Sequence, residues 1–181
     1  KEGYHVVAYD APAHGKSEGK LTNMLQMVAT ISHLDKAENG FNYIIGHSFG
    51  AMAIFNYCKT NINRVKKIVT IGAADNMRTI FTEFITSIGL SNKILGRMIA
   101  YFEKKYSVLI DDFSPSVAAE NIQTPTLLIH DEEDYDVSVN CADRISKHHP
   151  NAKVIKTKGL GHRRILKDKR VMQHIKSFIK E

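Results

Sequence analysis

Short apolar runs rich in β-branched residues alternate along this chain with stretches of helical spacing. The runs that predict strands are residues 5–9, 43–45, 65–71, 125–130 and 152–157. Most of them are followed by a polar or glycine-containing loop and then by apolar residues three and four positions apart. Apolar strands that alternate with helices are typical of a parallel sheet covered by helices on both faces. The sequence therefore predicts an α/β fold.

One stretch interrupts this alternation, because residues 74–121 contain helical patterns and no strand-like run. The predicted helices there are residues 77–88 and 93–106, with a short turn near 116–120. This is long for a single connection between two sheet strands. We therefore expect one domain over residues 1–181, with 74–121 inserted as a helical cap over the carboxyl ends of the strands. Two ordinary packed helices are the alternative.

Composition excludes several classes of protein. The 181 residues are 43% hydrophobic and 24% charged, which is enough apolar material for a core and excludes a disordered or low-complexity chain. No apolar run approaches the roughly 18–20 residues of a membrane-spanning helix. The net charge of +6 comes with neither a groove-reading motif nor stacking aromatics, so we expect no nucleic-acid partner.

The two cysteines, Cys58 and Cys141, are too few and too far apart to indicate a disulfide framework. Neither has the Cys/His spacing of a zinc site, and we expect no metal. Reduced thiols of this kind fit a cytoplasmic protein.

The segment Gly46-His47-Ser48-Phe49-Gly50 has the Gly-x-Ser-x-Gly pattern between a predicted strand and a predicted helix. A serine on such a sharp turn is held in a strained backbone above the sheet edge, and the flanking glycines avoid side-chain collisions. The N-terminus of the following helix faces the charge that develops during acyl transfer. This context favours a nucleophilic Ser48 over a merely tight turn.

A serine hydroxyl needs a base, and that base needs an orienting acid. The acidic segment 131–136 follows one predicted strand, and Gly161-His162 follows the next. The carboxyl ends of parallel strands meet at one sheet edge, where ligands bind. The order Ser48, acid, His162 therefore predicts a catalytic triad.

With these residues in place, the chain resembles the α/β-hydrolase fold family over essentially its whole length. Residues 3–17 are similar to the family's fourth strand and its Asp-x-Pro-Gly-His-Gly-x-Ser loop, with Ala13 where Gly is usual. Residues 46–50 resemble its nucleophile elbow. Residues 127–138 are similar to Leu-x-Ile-His-Gly-x-x-Asp-x-x-Val-Pro, and Gly161-His162 resembles its catalytic Gly-His.

The register of that resemblance implies Asp134 as the triad acid, with Asp131 in place of the usual Gly and Ser138 in place of Pro. Asp136 or Glu133 could take this part if the register slips. An EF-hand-like calcium loop is disfavoured, because the sixth and twelfth positions lack the required Gly and Glu.

The resemblance implies a serine hydrolase that cleaves a carboxylic ester or similar small acyl substrate through an acyl-enzyme, without a cofactor. Ser48 would be the nucleophile and the Phe49 N–H an oxyanion donor. The substrate-binding positions are expected to be His47 and, in the insertion, Met77, Phe81, Phe84 and Met98. The alternatives are a thioesterase, a C–C bond hydrolase, a cofactor-free haloperoxidase or perhydrolase, an acyltransferase, or a non-catalytic binding protein of the same fold.

In the family, strands one to three precede the segment that residues 5–9 resemble, and the third strand lies between the fourth and fifth. We therefore expect this chain to be the C-terminal two-thirds of a longer hydrolase. The loop that supplies the second oxyanion donor has no counterpart here. If the chain folds alone, residues 5–9 should pair directly with 43–45 or borrow a strand from another molecule, giving strand exchange or a homo-oligomer.

Overall fold

A computed structural model describes residues 3–61 and 64–181. The strands are β1 (Tyr43–His47), β2 (Lys67–Ile71), β3 (Thr126–Asp131) and β4 (Ala152–Thr157). The helices are α1 (Met24–Ala37), α2 (Phe49–Cys58), α3 (Met77–Ser87), α4 (Asn92–Tyr106), α5 (Pro115–Ala119), α6 (Asn140–His148), α7 (Gly161–Arg164) and α8 (Lys169–Lys180). Short 3₁₀ turns lie at Ile110–Phe113 and Ile165–Lys167.

The four strands form one parallel sheet in the order β1-β2-β3-β4. Their carboxyl ends therefore lie along one edge, as the predicted α/β fold requires. Helix α1 begins at Met24, later than the apolar spacing suggested, because the Asn23 side chain accepts a hydrogen bond from the Gln26 N–H at 3.0 Å and caps the first turn.

Apolar side chains cover both faces of the sheet. Along β3, Leu128 belongs to one buried cluster and its neighbours Leu127 and Ile129 to the other. The larger cluster contains residues of α1, α2, α5 and α6. The smaller one is closed by α8, whose Val171, Ile175 and Phe178 form the buried stripe. Alternation of side chains along each strand thus produces two cores, one on each face.

The predicted strand at residues 5–9 is wrong, because residues 3–23 contain no strand. The Tyr4 ring meets the Tyr43 ring of β1 edge-on, with ring centroids 5.8 Å apart. The segment forms no ladder with β1, and Val6 is 75% exposed. An extended segment becomes a strand only when a neighbour takes its backbone hydrogen bonds. The direct pairing expected for residues 5–9 and β1 is therefore not present.

A groove of about 300 Å³ lies between this segment and β1. Its lining is mostly apolar: Val7, Tyr9, Ala11, Met27, Ile31, Leu34, Phe41, Tyr43, Ile44, Ile45, Gly46, His47, Gly50 and Ile54. Within the described residues, β1 pairs only with β2, so its other edge faces the groove.

The chain between β2 and β3 is helical and is tied to the rest of the fold by Asp75. One Asp75 oxygen accepts a hydrogen bond from the Ser116 N–H at 2.8 Å, and the other pairs with the Arg144 Nε at 2.9 Å. This carboxylate therefore joins α5 and α6 to the end of β2. None of the helices within the described ranges combines the length and apolar character that crossing a membrane requires.

A buried carboxylate fixes the connection that leads into β1. Asp35, on α1, pairs with the Arg64 Nε at 2.8 Å, and its other oxygen accepts a hydrogen bond from the Phe41 N–H at 2.9 Å. The Asp35 side chain is buried, whereas the Arg64 side chain is 47% exposed and reaches solvent.

We expect Asp35→Ala to lower the free energy of unfolding by about 1.5–3 kcal/mol, because the Phe41 N–H and Arg64 both lose a charged acceptor. The measurement is urea denaturation followed by circular dichroism. Asp111→Ala is the matched control: it breaks the half-exposed Arg78–Asp111 pair, whose expected contribution is about 0–1 kcal/mol. Equal losses in the two variants would contradict this assignment.

Candidate active site

Ser48 lies on a strained turn between β1 and α2. Its φ of 54° and ψ of −122° fall in a region that residues with a Cβ rarely adopt. The turn is held because the Ser48 N–H donates to the Ile71 carbonyl at the end of β2, at 3.0 Å. Such strain persists only when the surrounding structure enforces it, and it is frequent where a side chain must be presented for chemistry.

The two glycines that flank Ser48 differ in what they allow. A Cβ on Gly46 would lie 2.9 Å from the Gly50 carbonyl oxygen and would also collide with the Ile54 side chain. A Cβ on Gly50 would meet nothing within 4 Å. The collision expected from the motif therefore applies to Gly46 and is wrong for Gly50.

His162 and Asp134 are joined by a short hydrogen bond. The imidazole Nδ1 lies 2.7 Å from Asp134 Oδ2, and both side chains are largely buried. The other oxygen, Oδ1, accepts hydrogen bonds from the N–H groups of Asp136 and Val137 at 3.0 and 2.8 Å. The main chain thus fixes one oxygen of the carboxylate, and the second orients the imidazole.

Among the acidic residues after β3, Asp134 is the one whose carboxylate contacts His162. Asp136 is exposed, and it contributes its main-chain N–H to Asp134 rather than its carboxylate to the imidazole. Glu133 likewise contributes an N–H, in this case to Asp131 at 3.0 Å. The register implied by residues 127–138 therefore matches the geometry.

Ser48 and His162 line the same cavity, of about 390 Å³. The remaining lining residues are Phe49, Met52, Ala74, Asp75, Asn76, Thr79, Ile80, Glu83, Asp136, Val137, Ser138, Cys141, Arg144 and Arg163. Within the described residues the Ser48 hydroxyl and the His162 ring are not hydrogen-bonded to each other. Such contacts are often long without substrate and tighten on binding.

The predicted substrate-binding residues of the insertion lie outside this lining. Met77 is buried in the core, Phe81 packs against it and Phe84 is half-exposed on α3. Met98 is partly buried on α4. From α3, the cavity is lined by Thr79, Ile80 and Glu83 instead. The role of the four predicted residues in substrate binding stays a prediction.

Asp131, which stands where the family resemblance has glycine, organises the loops that carry Asp134 and His162. Its carboxylate is fully buried and accepts a hydrogen bond from the Thr157 hydroxyl at 2.6 Å. The same group accepts N–H bonds from Leu160 and Gly161, just before His162, and from Glu133, just before Asp134. One carboxylate thereby ties the two loops together.

Gly72, directly after β2, packs against the His162–Asp134 pair. Its φ is +55°, and a Cβ there would lie 3.2 Å from the His162 Nδ1 and Cε1 atoms and 3.4 Å from Asp134 Oδ2. Only a residue without a side chain fits this backbone and this contact together. A glycine after a strand is too common a pattern to have indicated this role.

Two further histidines surround the pair. His130 Nε2 donates to the Val137 carbonyl at 2.9 Å and lies 3.4 Å from Asp134 Oδ2. His47 Nε2 donates to the His162 carbonyl at 2.9 Å. Burial is the main cause that lowers the pKa of each histidine below its ordinary value, so both favour the neutral form. Spacing along the chain gave no partner for His130.

Hydrogen bonding also sets the ionisation of Asp131. Burial by itself raises the pKa of this carboxyl, but the four hydrogen bonds outweigh it, and the pKa lies below its ordinary value. The stabilisation they give is fully present above the unfolded-state pKa of about 3.9 and is lost as pH falls through the lower folded-state pKa.

We expect Asp131→Asn to lower the free energy of unfolding by about 2–4 kcal/mol at pH 7, because four donors lose a charged acceptor. The difference from the wild type should shrink once pH falls below about 4. Urea denaturation at pH 7 and pH 3 measures both. Asp143→Asn, which breaks the exposed pair with Lys156, is the control and should change stability by about 1 kcal/mol or less. A pH-independent difference would show that charge at Asp131 is not what matters.

Comparison with known proteins agrees with this fold. The family described as alpha/beta hydrolase fold matches residues 1–92, slightly more than half of the chain. No curated protein matches this chain. A monoacylglycerol lipase from Paleococcus ferrophilus is similar at 19% identity and TM-score 0.69, covering 96% of this chain and 80% of that one.

Two other solved structures are similar at this level. An esterase from a Rhodococcus species has 15% identity and TM-score 0.67, and the match covers 95% of this chain and 78% of the esterase. Mouse alpha/beta hydrolase domain-containing protein 10 has 18% identity and TM-score 0.66, and the match covers 94% of this chain and 74% of the mouse protein. These structures share the fold, and the family match spans the strand, turn and helix around Ser48. The chain belongs to the α/β-hydrolase fold family.

Proposed function

We propose that this protein is a serine hydrolase that cleaves a carboxylic ester, with Ser48 as nucleophile, His162 as base and Asp134 as the orienting acid. The observation that carries the proposal is the 2.7 Å bond between His162 Nδ1 and Asp134 Oδ2 beside the cavity that Ser48 lines. Two of the similar structures are by name a lipase and an esterase, which supports an ester substrate over other acyl compounds.

The pair sets the proton transfers. Asp134 Oδ2 accepts a hydrogen bond from the Nδ1–H of His162, so the neutral imidazole presents an unprotonated Nε2. Nε2 takes the proton of the Ser48 hydroxyl as its oxygen attacks the ester carbonyl, and it later gives that proton to the leaving alcohol. Water then enters and loses a proton to Nε2 as it attacks the acyl-enzyme, and Nε2 returns that proton to the Ser48 oxygen as the acid leaves. The Asp134 carboxylate stabilises the His162 imidazolium in both steps.

The negative charge that develops on the carbonyl oxygen is received by the start of α2. The Phe49 N–H is the first of the helix and makes no hydrogen bond within the described residues. It adds to the positive end of the helix dipole. Removal of one oxyanion donor typically lowers the rate by about 10²–10³.

The cavity suits an ester with a short or medium apolar part. Met52, Ile80 and Val137 supply apolar surface, and the volume of about 390 Å³ is at the lower end of the range for small-molecule sites. Asp136 and Arg163 also line it, so polar groups accompany the apolar wall.

We expect Ser48→Ala to abolish hydrolysis of p-nitrophenyl acetate and butyrate and labelling by a fluorophosphonate probe, because both need the hydroxyl. The residual rate should be at least about 10³-fold below that of the wild type. Ser177→Ala, an exposed serine of α8, is the control and should retain full activity. A parallel assay with a butyryl thioester tests the thioesterase alternative. Unchanged ester hydrolysis in Ser48→Ala would overturn the proposal.

We expect Gly72→Ala to lower kcat by about 10–100-fold with little change in KM, because the added methyl displaces the His162 ring. Gly96→Ala is the control, since its Cβ would meet nothing within 4 Å on helix α4. That variant should keep its activity and gain slightly in stability, by about 0.5–1 kcal/mol. Equal kcat values for both variants would show that the Gly72 contact does not position the imidazole.

A further inference from the structure

His47 connects the nucleophile turn to the loop of the base through its side chain. It is the last residue of β1 and is covalently joined to Ser48. Its Nε2 lies 2.9 Å from the carbonyl oxygen of His162, and the two rings are 4.5 Å apart at an angle of 43°. A residue next to the nucleophile therefore contacts both the main chain and the ring of the base.

The chemistry of this contact fixes the state of His47. A carbonyl oxygen can only accept a hydrogen bond, so Nε2 must carry the proton. The groups that face His47 are His162, Asp134 and His130. Burial of the ring lowers the pKa of His47, which keeps it neutral where a second positive charge would oppose the imidazolium of His162.

The base is held at three points. Asp131 fixes the main chain just before His162, and Asp134 fixes its ring at Nδ1. His47 fixes the carbonyl of His162 itself. The first two contacts come from the end of β3 and the loop after it, whereas the third comes from β1, which leads directly into Ser48. His47 therefore sets the placement of the base relative to the nucleophile.

We propose that His47 is a positioning residue of the reaction: its Nε2–H holds the His162 main chain, and with it the imidazole, in register with Ser48. This inference rests on the proposed function. It differs from the substrate-binding role expected from the sequence, because the His47 side chain lines the groove beside β1 rather than the cavity of Ser48.

The test compares two amides that differ in reach. Gln at position 47 places its side-chain N–H about where the histidine Nε2–H lies, whereas Asn is one methylene too short. We expect His47→Asn to lower kcat by about 10-fold or more with KM within about twofold, because misplacing a catalytic group by about 1 Å is costly. His47→Gln should recover most of that loss. A general destabilisation of the turn would affect the two amides alike.

A second measurement does not depend on activity. Proton–nitrogen NMR of histidine-labelled protein reads the tautomer of each imidazole. In the wild type, His47 should be protonated at Nε2 and His162 at Nδ1. In His47→Asn the His162 signals should shift or broaden through tautomer exchange, and in His47→Gln they should return to the wild-type positions. Urea denaturation checks that each variant is folded. If His47→Asn does not fold, His47→Phe replaces it, because phenylalanine keeps a ring but has no hydrogen-bond donor.

The outcomes separate the two proposals. If the wild type hydrolyses no ester and Ser48 is not labelled, the proposed function fails, and NMR alone decides the role of His47. If wild-type activity is present, two results would overturn the inference: His47→Asn with wild-type kcat and an unchanged His162 spectrum, or a Gln variant as impaired as the Asn variant. Loss of kcat and a changed spectrum in the Asn variant, with both restored in the Gln variant, would support it.

Discussion

Parallel pairing of the four strands is the constraint on which the site depends. Because all strands run in one direction, the residues that follow them lie along a single edge. Ser48 follows β1, Gly72 follows β2, Asp134 follows β3 and His162 follows β4. The register is held by apolar burial on both faces of the sheet, since sliding a strand by one residue would exchange its two cores. The stability of the core and the geometry of the site therefore have the same origin.

Two neighbouring aspartates, Asp131 and Asp134, differ in the hydrogen bonds that their carboxylates accept. Both are buried, Asp131 as the last residue of β3 and Asp134 in the loop after it, yet the Asp131 carboxylate accepts four hydrogen bonds that hold the surrounding chain. Asp134 has one oxygen filled by main-chain N–H groups, and the other remains for His162. A carboxylate whose oxygens are occupied by donors from the surrounding chain holds that chain and leaves no oxygen to orient an imidazole. Asp134 keeps one oxygen for the imidazole, and that difference in hydrogen bonding assigns the two roles.

Patterns that depend on local periodicity were predicted well. The bounds of β4 agree with the apolar run at 152–157, and α3, at Met77–Ser87, agrees with the helix predicted at 77–88. The placement of Asp134 against His162 followed from motif register and chain order. The strand at residues 5–9 was not formed, because the ladder that defines a strand requires a partner and an apolar run alone does not supply one. Ala13 keeps the left-handed backbone, at a φ of 62°, where the family resemblance has glycine.

The sequence by itself determined the α/β class, the turn that presents Ser48 and the order of acid and base, because these depend on residue periodicity and on motifs a few residues long. Only the tertiary structure decided that Gly72 lies under the imidazole, that Asp131 joins the two loops and that His47 donates to the His162 carbonyl. Each of these contacts joins residues that lie 30 to 115 positions apart along the chain. No local pattern encodes such a contact, because it exists only after the sheet has brought the strand ends together.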